Sequence, residues 1–245
     1  MSDVLSHWND RAALGPCAGT QDRGLVALEQ RVIQAHVRPG LRVLDVGCGV
    51  GETLTTLSGV ERVGMDFSPA MIAQATASHP EIRFEEGDIR YDLSRLGLFD
   101  LIYTQRCLIN LLDQEAQGAA VRRICQQLTP GGCYLAVEHS ADGLVALNGL
   151  RQQVGLSAII PPWHNCYLQE DAVRAFVADP TIDLTADAED FSSTYYFLSR
   201  VVNAWLAQRE GRDPSYEAPI NALALQLPVF GDVGQARYWR WRRLV

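Results

Sequence analysis

No run in the 245 residues approaches the roughly 18 apolar residues of a membrane span, so no transmembrane role is expected. Basic charge is scarce. Lys and Arg total 21 against 29 Asp and Glu, a net charge of −8 with a pI near 5.1. That weighs against the broad basic face of a nucleic-acid binder, though not against a local basic pocket. The six cysteines, at 17, 48, 107, 125, 133 and 166, form no Cys-x-x-Cys pair. Most lie inside apolar runs and read as small buried side chains in a reducing cytoplasm. The opening Met1-Ser2-Asp3-Val4-Leu5-Ser6-His7-Trp8 lacks a basic-then-apolar leader pattern. Internal repeats, low-complexity tracts and any Asp/Asn cluster suggesting a required magnesium ion are also missing. What remains is a chain of 47% hydrophobic residues, enough for the full core of one cytoplasmic α/β domain.

The stretch Val43-Leu44-Asp45-Val46-Gly47-Cys48-Gly49-Val50-Gly51-Glu52 organises that domain. Apolar residues flank Asp45 and end in alternate glycines, and Thr53 to Leu57 resumes with a helical look. The pattern predicts a buried parallel strand, a tight turn and a helix. Glycine permits positive φ and close approach of a ligand to the backbone, and the helix start offers unpaired N–H groups. Such a turn suits part of a nucleotide-like cofactor. The dinucleotide fingerprint Gly-x-Gly-x-x-Gly needs a third glycine where this chain has Glu52. A carboxylate there is a poor neighbour for pyrophosphate, and Asp45 adds to the anionic character. A cationic, phosphate-free ligand is favoured, and S-adenosylmethionine fits. Asp66 closes a second strand, Arg62-Val63-Gly64-Met65-Asp66, at the distance where an acidic residue accepts ribose hydroxyls. Ser68 then reads as an N-cap with Pro69 at the first helical position.

Val-Leu-Asp-Val-Gly-Cys-Gly-Val-Gly resembles motif I of class I S-adenosylmethionine-dependent methyltransferases. Gly-Met-Asp-Phe-Ser-Pro-Ala-Met resembles the second motif of that family, Gly87-Asp88-Ile89 its third, and Leu-Thr-Pro-Gly-Gly before a buried strand is similar to its usual link. The resemblance covers residues 41–139. It implies a Rossmann-like α/β three-layer sandwich with a seven-stranded, mostly parallel sheet, the last strand antiparallel, plus a helical cap insertion. The expected organisation is one domain over 1–245, with a cofactor-binding core at 24–139 and an acceptor-side insertion at 140–183. For the cofactor, the resemblance implies that Asp45, Gly47, Cys48 and Gly49 meet the methionine half. Asp66 takes the ribose, while Phe67, Met71, Asp88 and Ile89 form the adenine pocket. An N-terminal segment carrying Trp8 and Arg11 folds over the cofactor, with Arg11 set to meet the methionine carboxylate; a surface Arg beside a packed Trp is the competing reading. Gln105, at the exit of the fourth strand, completes the set.

Arg106 follows Gln105 where open α/β sheets present ligands and is expected to anchor the acceptor. The cluster Ile160-Pro161-Pro162-Trp163-His164-Asn165-Cys166-Tyr167 reads as part of a cap over the acceptor. His164 is the expected base, because imidazole titrates near neutral pH, with Tyr195 as its alternative. Arg106 and Arg151 point to an anionic acceptor, and Trp163, Tyr195 and Tyr196 to an apolar portion of it. The expected reaction is methyl transfer to an N or O atom of a small molecule in bacterial secondary or cell-surface metabolism. Peptide, protein or RNA methylation, a non-catalytic S-adenosylmethionine-binding module and a nicotinamide oxidoreductase are the rivals, and a homodimer is left open. The arginines interleaved with aromatics from Ala236 to Val245 are read as a strand at the sheet edge with one solvated face.

Overall fold

A computed structural model describes residues 2–244; Met1, and Val245 at the end of the expected last strand, lie outside the described residues. In chain order the elements are α1 (Ser2–Arg11), a 3₁₀ segment (Ala12–Cys17), α2 (Arg23–Gln34), β1 (Arg42–Val46), α3 (Glu52–Thr55), β2 (Glu61–Asp66), α4 (Pro69–Ser78) and β3 (Arg83–Glu86). They continue with β4 (Phe99–Gln105), α5 (Gln114–Gln126), β5 (Leu128–His139), α6 (Ala141–Gln153), α7 (Glu170–Arg174) and β6 (Ile182–Asp190). A continuous helical run follows: α8 (Ser193–Tyr196), a π-helical segment (Phe197–Val202) and α9 (Asn203–Arg209). The chain then forms α10 (Pro219–Ala224) and β7 (Ala236–Arg243).

The sheet order is β3-β2-β1-β4-β5-β7-β6. β1 to β5 pair in parallel, and β7 runs antiparallel to both neighbours. The expected seven-stranded Rossmann-like architecture is therefore present. Alternation along the strands sorts the core into two layers. Val43 and Leu101 pack with Ile33 of α2 and Leu54 of α3 on one face. Leu44, Ile102 and Tyr134 pack with Val121 and Ile124 of α5 on the other. The start of α4 is as expected, Ser68 Oγ accepting from the Met71 N–H, and the structure adds Asp113 as the cap of α5 and Ser140 as the cap of α6.

One expectation fails. β7 is not an edge: it lies between β5 and β6, and Trp239 and Trp241 are fully buried. Arg240 and Arg242 do share the more open face of the strand, Arg242 being exposed, while Arg237 on the other face is buried against Glu170 and Asp190. The helix expected after the glycine turn is present, as a single turn. Of the cysteines, Cys48 and Cys125 are buried, Cys17 is exposed, and the other three are intermediate.

Candidate active site

A cavity of about 660 Å³ opens over the carboxyl ends of the parallel strands, where β1 and β4 diverge to opposite halves of the sheet. β1 delivers Asp45 to it. The turn that follows has φ of 79°, 53° and 81° at Gly47, Gly49 and Gly51. A Cβ at Gly47 would lie 2.5 Å from Cys107 Sγ, so the exit loops of β1 and β4 can approach only through glycine. The N–H groups of Gly47 and Cys48 donate to the Met65 carbonyl at 2.7 and 3.0 Å and lock the turn to β2. Where a diphosphate would sit on a dinucleotide fold, the Glu52 carboxylate stands instead, paired with Arg23.

Asp66 ends β2 on the cavity wall. One carboxylate oxygen accepts from the Gly49 N–H and the other from the Ser68 N–H, both at 2.9 Å. Burial pushes its pKa up against those bonds. Phe67 and Met71 follow on the same wall, and Asp88 and Ile89 line it from the exit of β3. Asp88 is held by the Arg90 side chain and by its N–H at 2.9 Å, so any ligand amine would share that carboxylate with a guanidinium. Asp45 is the more unusual acid. It is 3% exposed, Oδ2 accepts from the Tyr103 hydroxyl at 2.8 Å, and Oδ1 has no partner. Burial, reinforced by the nearby Asp66, raises its pKa to about 8 even against the Tyr103 bond.

The N-terminal segment closes one side. Trp8 lines the cavity and donates from Nε1 to Asn110 Oδ1 at 3.2 Å. Arg11 does not reach it. Its guanidinium is spent on the Ala18 carbonyl at 2.5 Å and on the Cys17 carbonyl, holding the segment in its own bend. The expected contact with a methionine carboxylate is therefore replaced by a structural one.

At the exit of β4, Gln105 and Arg106 both line the cavity. Arg106 sits at φ 55°, a conformation few side-chain-bearing residues adopt. Its Nε is 3.2 Å from Glu29 Oε2 but lacks hydrogen-bond geometry, leaving that donor without a partner. Glu29 is completely buried. It accepts from Gln105 Nε2 at 2.6 Å, and its Oε1 is also unpartnered. Burial raises its pKa despite the Arg106 charge. From β5, Glu138 accepts the N–H groups of Cys107 and Leu108 at 3.0 Å and fixes the same loop; burial lifts its pKa to about 7.

His164 does line the cavity, but not as a near-neutral base. Its ring packs 4.3 Å from His7 and 5.6 Å from Trp8, centroid to centroid. Burial, then His7 and Arg11, lower its pKa to about 4. Tyr195 is off the cavity wall: its hydroxyl is buried and donates to Asp22, so it cannot serve as the alternative base. Its neighbour Tyr196 lines the wall in its place. Arg151 is likewise spent, on the carbonyls of Ser157 and Arg200, and Trp163 is 60% exposed and off the wall.

Sequence reasoning missed Arg200, which faces the cavity from the π-helical segment and pairs with Asp22, the N-cap of α2. It also missed His139 at the end of β5. Gln235 Nε2 lies 3.1 Å from His139 Nδ1 and donates to the Tyr167 hydroxyl at 3.0 Å. Burial, then Arg106 and Arg200, drive the His139 pKa down to about 3. One signal was readable: Leu25, Val26, Glu29 and Ile33 form the buried face of α2, and a carboxylate in that register needs a buried partner. Among the described residues, no group of three or more His, Cys, Asp or Glu could hold a metal ion.

Residues 43–132 match the family described as methyltransferase domain. A trans-aconitate 2-methyltransferase of Deinococcus radiodurans is 40% identical over 119 residues, 46% of this chain and 43% of that protein. The chain thus spans less than half the length of that relative. Magnesium protoporphyrin IX methyltransferase from Synechocystis, solved with bound S-adenosylmethionine, shares the fold with a TM-score of 0.52. Its identity is 15%, with 91% of this chain and 79% of that one covered. The [4+2]-cyclase SpnF shares it with a TM-score of 0.54 and 22% identity, covering 100% of this chain and 94% of that one.

Proposed function

We propose that the chain is a class I S-adenosylmethionine-dependent methyltransferase, a reading supported by its match to the methyltransferase domain family and by its fold, and that it binds S-adenosylmethionine along Asp45, Asp66 and Asp88. It transfers the methyl group to an N or O atom of an anionic small molecule with an apolar portion. The observation that carries this reading is that Asp45 lines the cavity with a buried Oδ1 that has no partner, beside a glycine turn whose following residue is Glu52. That arrangement suits an ammonium or sulfonium and opposes a diphosphate. The cavity volume falls among small-molecule sites, about 300–1,000 Å³, and the walls closing it favour a small acceptor over a folded macromolecule. The fold alone does not fix methyl transfer, since a cyclase shares it.

S-adenosylmethionine, when bound, supplies an activated methyl: the S–C bond breaks with its electron pair left on sulfur as the acceptor's lone pair forms the new bond. The chain's own residues align and desolvate the reactants. Glu138 holds the Cys107–Leu108 loop facing the acceptor, and Trp8 and His164 exclude water from above. His139 and His164, lowered to about 3 and about 4, are neutral at pH 7 but too weakly basic to hold a proton taken from the acceptor, so the site favours an acceptor atom that arrives deprotonated. A hydroxyl or amine acceptor would pass its proton to water.

Calorimetry tests the cofactor half. S-adenosylhomocysteine should bind, and Asp66→Ala should weaken it by about 1–3 kcal/mol through lost charge-assisted hydrogen bonds. Unchanged affinity would refute the ribose role. Labelled methyl transfer to cell protein or RNA, with none to the small-molecule fraction, would refute the acceptor half.

A further inference from the structure

The helix α2 presents two buried acids at positions 22 and 29, seven residues apart and so on one face. Each holds an arginine that belongs to a different part of the chain. Asp22, 1% exposed, accepts from Arg200 Nη2, from the Tyr195 hydroxyl and from the Leu25 N–H. Glu29 sits behind Arg106. Both arginines line the same cavity, and both are close enough to bear on His139. Arg200 lies 5.4 Å from the Tyr196 ring and 4.9 Å from the Tyr216 ring, so two aromatic faces flank it.

These pairs leave most of the guanidinium donors unused. Arg106 has an orphaned Nε, and its contact with Glu29 lacks hydrogen-bond geometry. Arg200 commits one N–H to Asp22 and one to Ser199 Oγ, of its five. Each arginine has a buried counter-charge, Glu29 of α2 or Asp22 at its N-cap, and both line the cavity. A planar anion is the ligand that satisfies such forks, because carboxylate matches guanidinium geometry in a way a point anion does not.

We propose that Arg106 and Arg200 form a two-sided clamp for a carboxylate of the acceptor, making the substrate a carboxylic acid. The clamp deepens the methyl-transfer reading and rests on it for the name "acceptor". It also replaces Arg151 as the second arginine of the anionic site. The clamped carboxylate is an anchor, and the methylated atom is elsewhere on the molecule or on a second acid group.

The test titrates benzoate and its neutral isostere benzamide into the protein saturated with S-adenosylhomocysteine. Benzoate should bind about tenfold more tightly than benzamide, and Arg200→Gln and Arg106→Gln should each remove about that preference. If the glutamine variant of Arg200 fails to fold, Arg200→Lys keeps a cation beside Asp22 while losing the planar fork, and it should lose a similar factor. Equal affinity for benzoate and benzamide, or an unaltered preference in the variants, overturns the proposal. The same chemistry exists in the methionine carboxylate of the cofactor. If the variants weaken S-adenosylhomocysteine but spare 5′-methylthioadenosine, which lacks the amino-acid end, the clamp serves the cofactor and the acceptor assignment is overturned. Should S-adenosylhomocysteine fail to bind at all, the cofactor reading falls. Benzoate against benzamide on the free protein still decides whether the carboxylate clamp exists.

Discussion

A carboxyl group that is 3% exposed with one oxygen unpartnered is tolerated only if it holds a proton or meets a cation. Asp45 is that group, with its pKa raised from 3.8 to about 8, chiefly by burial. Because the folded value lies above the unfolded one, its contribution to stability is complete below pH 3.8. It is lost as pH rises, since the unfolded chain ionises first, and the loss ends once the folded group ionises near 8. Asp45→Asn should therefore stabilise the ligand-free protein at pH 8, by up to about 5 kcal/mol in urea denaturation at about 1.4 kcal/mol for each pH unit between the two values. A cationic ligand reverses the balance by favouring the ionised form. At pH 7, S-adenosylhomocysteine binding should release close to one proton, read as a calorimetric difference between phosphate and Tris buffers, and Asp45→Asn should abolish the release. No proton release in the native protein, or the same release in the variant, would show that the ammonium does not sit at Asp45.

At the scale of elements, the strand–turn units were legible because the local rules agree there. The apolar run at 43–46, alternate glycines and the Ser68-Pro69 cap each specify one geometry, and the structure adopts all three. β7 was misplaced because alternation along a strand says which side chains share a face, not whether both edges are paired. Only the pairing of β6 onto β7 decides that, and nothing local in residues 182–190 announces it. For the same reason Arg200 and Asp22 could not be matched: 178 positions separate them, and the fold alone brings them together. The interior position of β7 has an energetic consequence. Trp241 stacks on Tyr134 with centroids 5.3 Å apart and planes at 14°, and it is 1% exposed. Trp241→Ala should cost about 3–5 kcal/mol in urea denaturation. Trp163→Ala, at a site 60% exposed, should stay within about 0.5 kcal/mol. Similar small costs at both positions would mean that β7 is at the solvated edge after all.

The whole molecule closes its cavity with one piece that precedes the parallel strands in the chain and one that follows them. The N-terminal segment brings His7 and Trp8, and the loop after α6 brings His164. The two meet ring against ring, while Trp8 also bonds Asn110 beyond β4. The sheet beneath is packed by long-range pairing and has no such choice of partner. Segments joined by a few ring contacts open at lower free energy than core strands. A ligand filling the space between them must therefore order both at once, since each supplies wall to the same cavity. S-adenosylhomocysteine at about 100 times its Kd stabilises the bound form by about 2.7 kcal/mol. Most of that should appear as slowed amide exchange in residues 2–18 and 159–167 together, with little change in the amides of β1, β4 and β5. His7→Ala should uncouple the pair: the ligand would still protect residues 2–18, but protection of 159–167 would fall. Protection confined to residues 45–53, or unaltered coupling in the variant, would mean that the two segments close independently of each other and of the ligand.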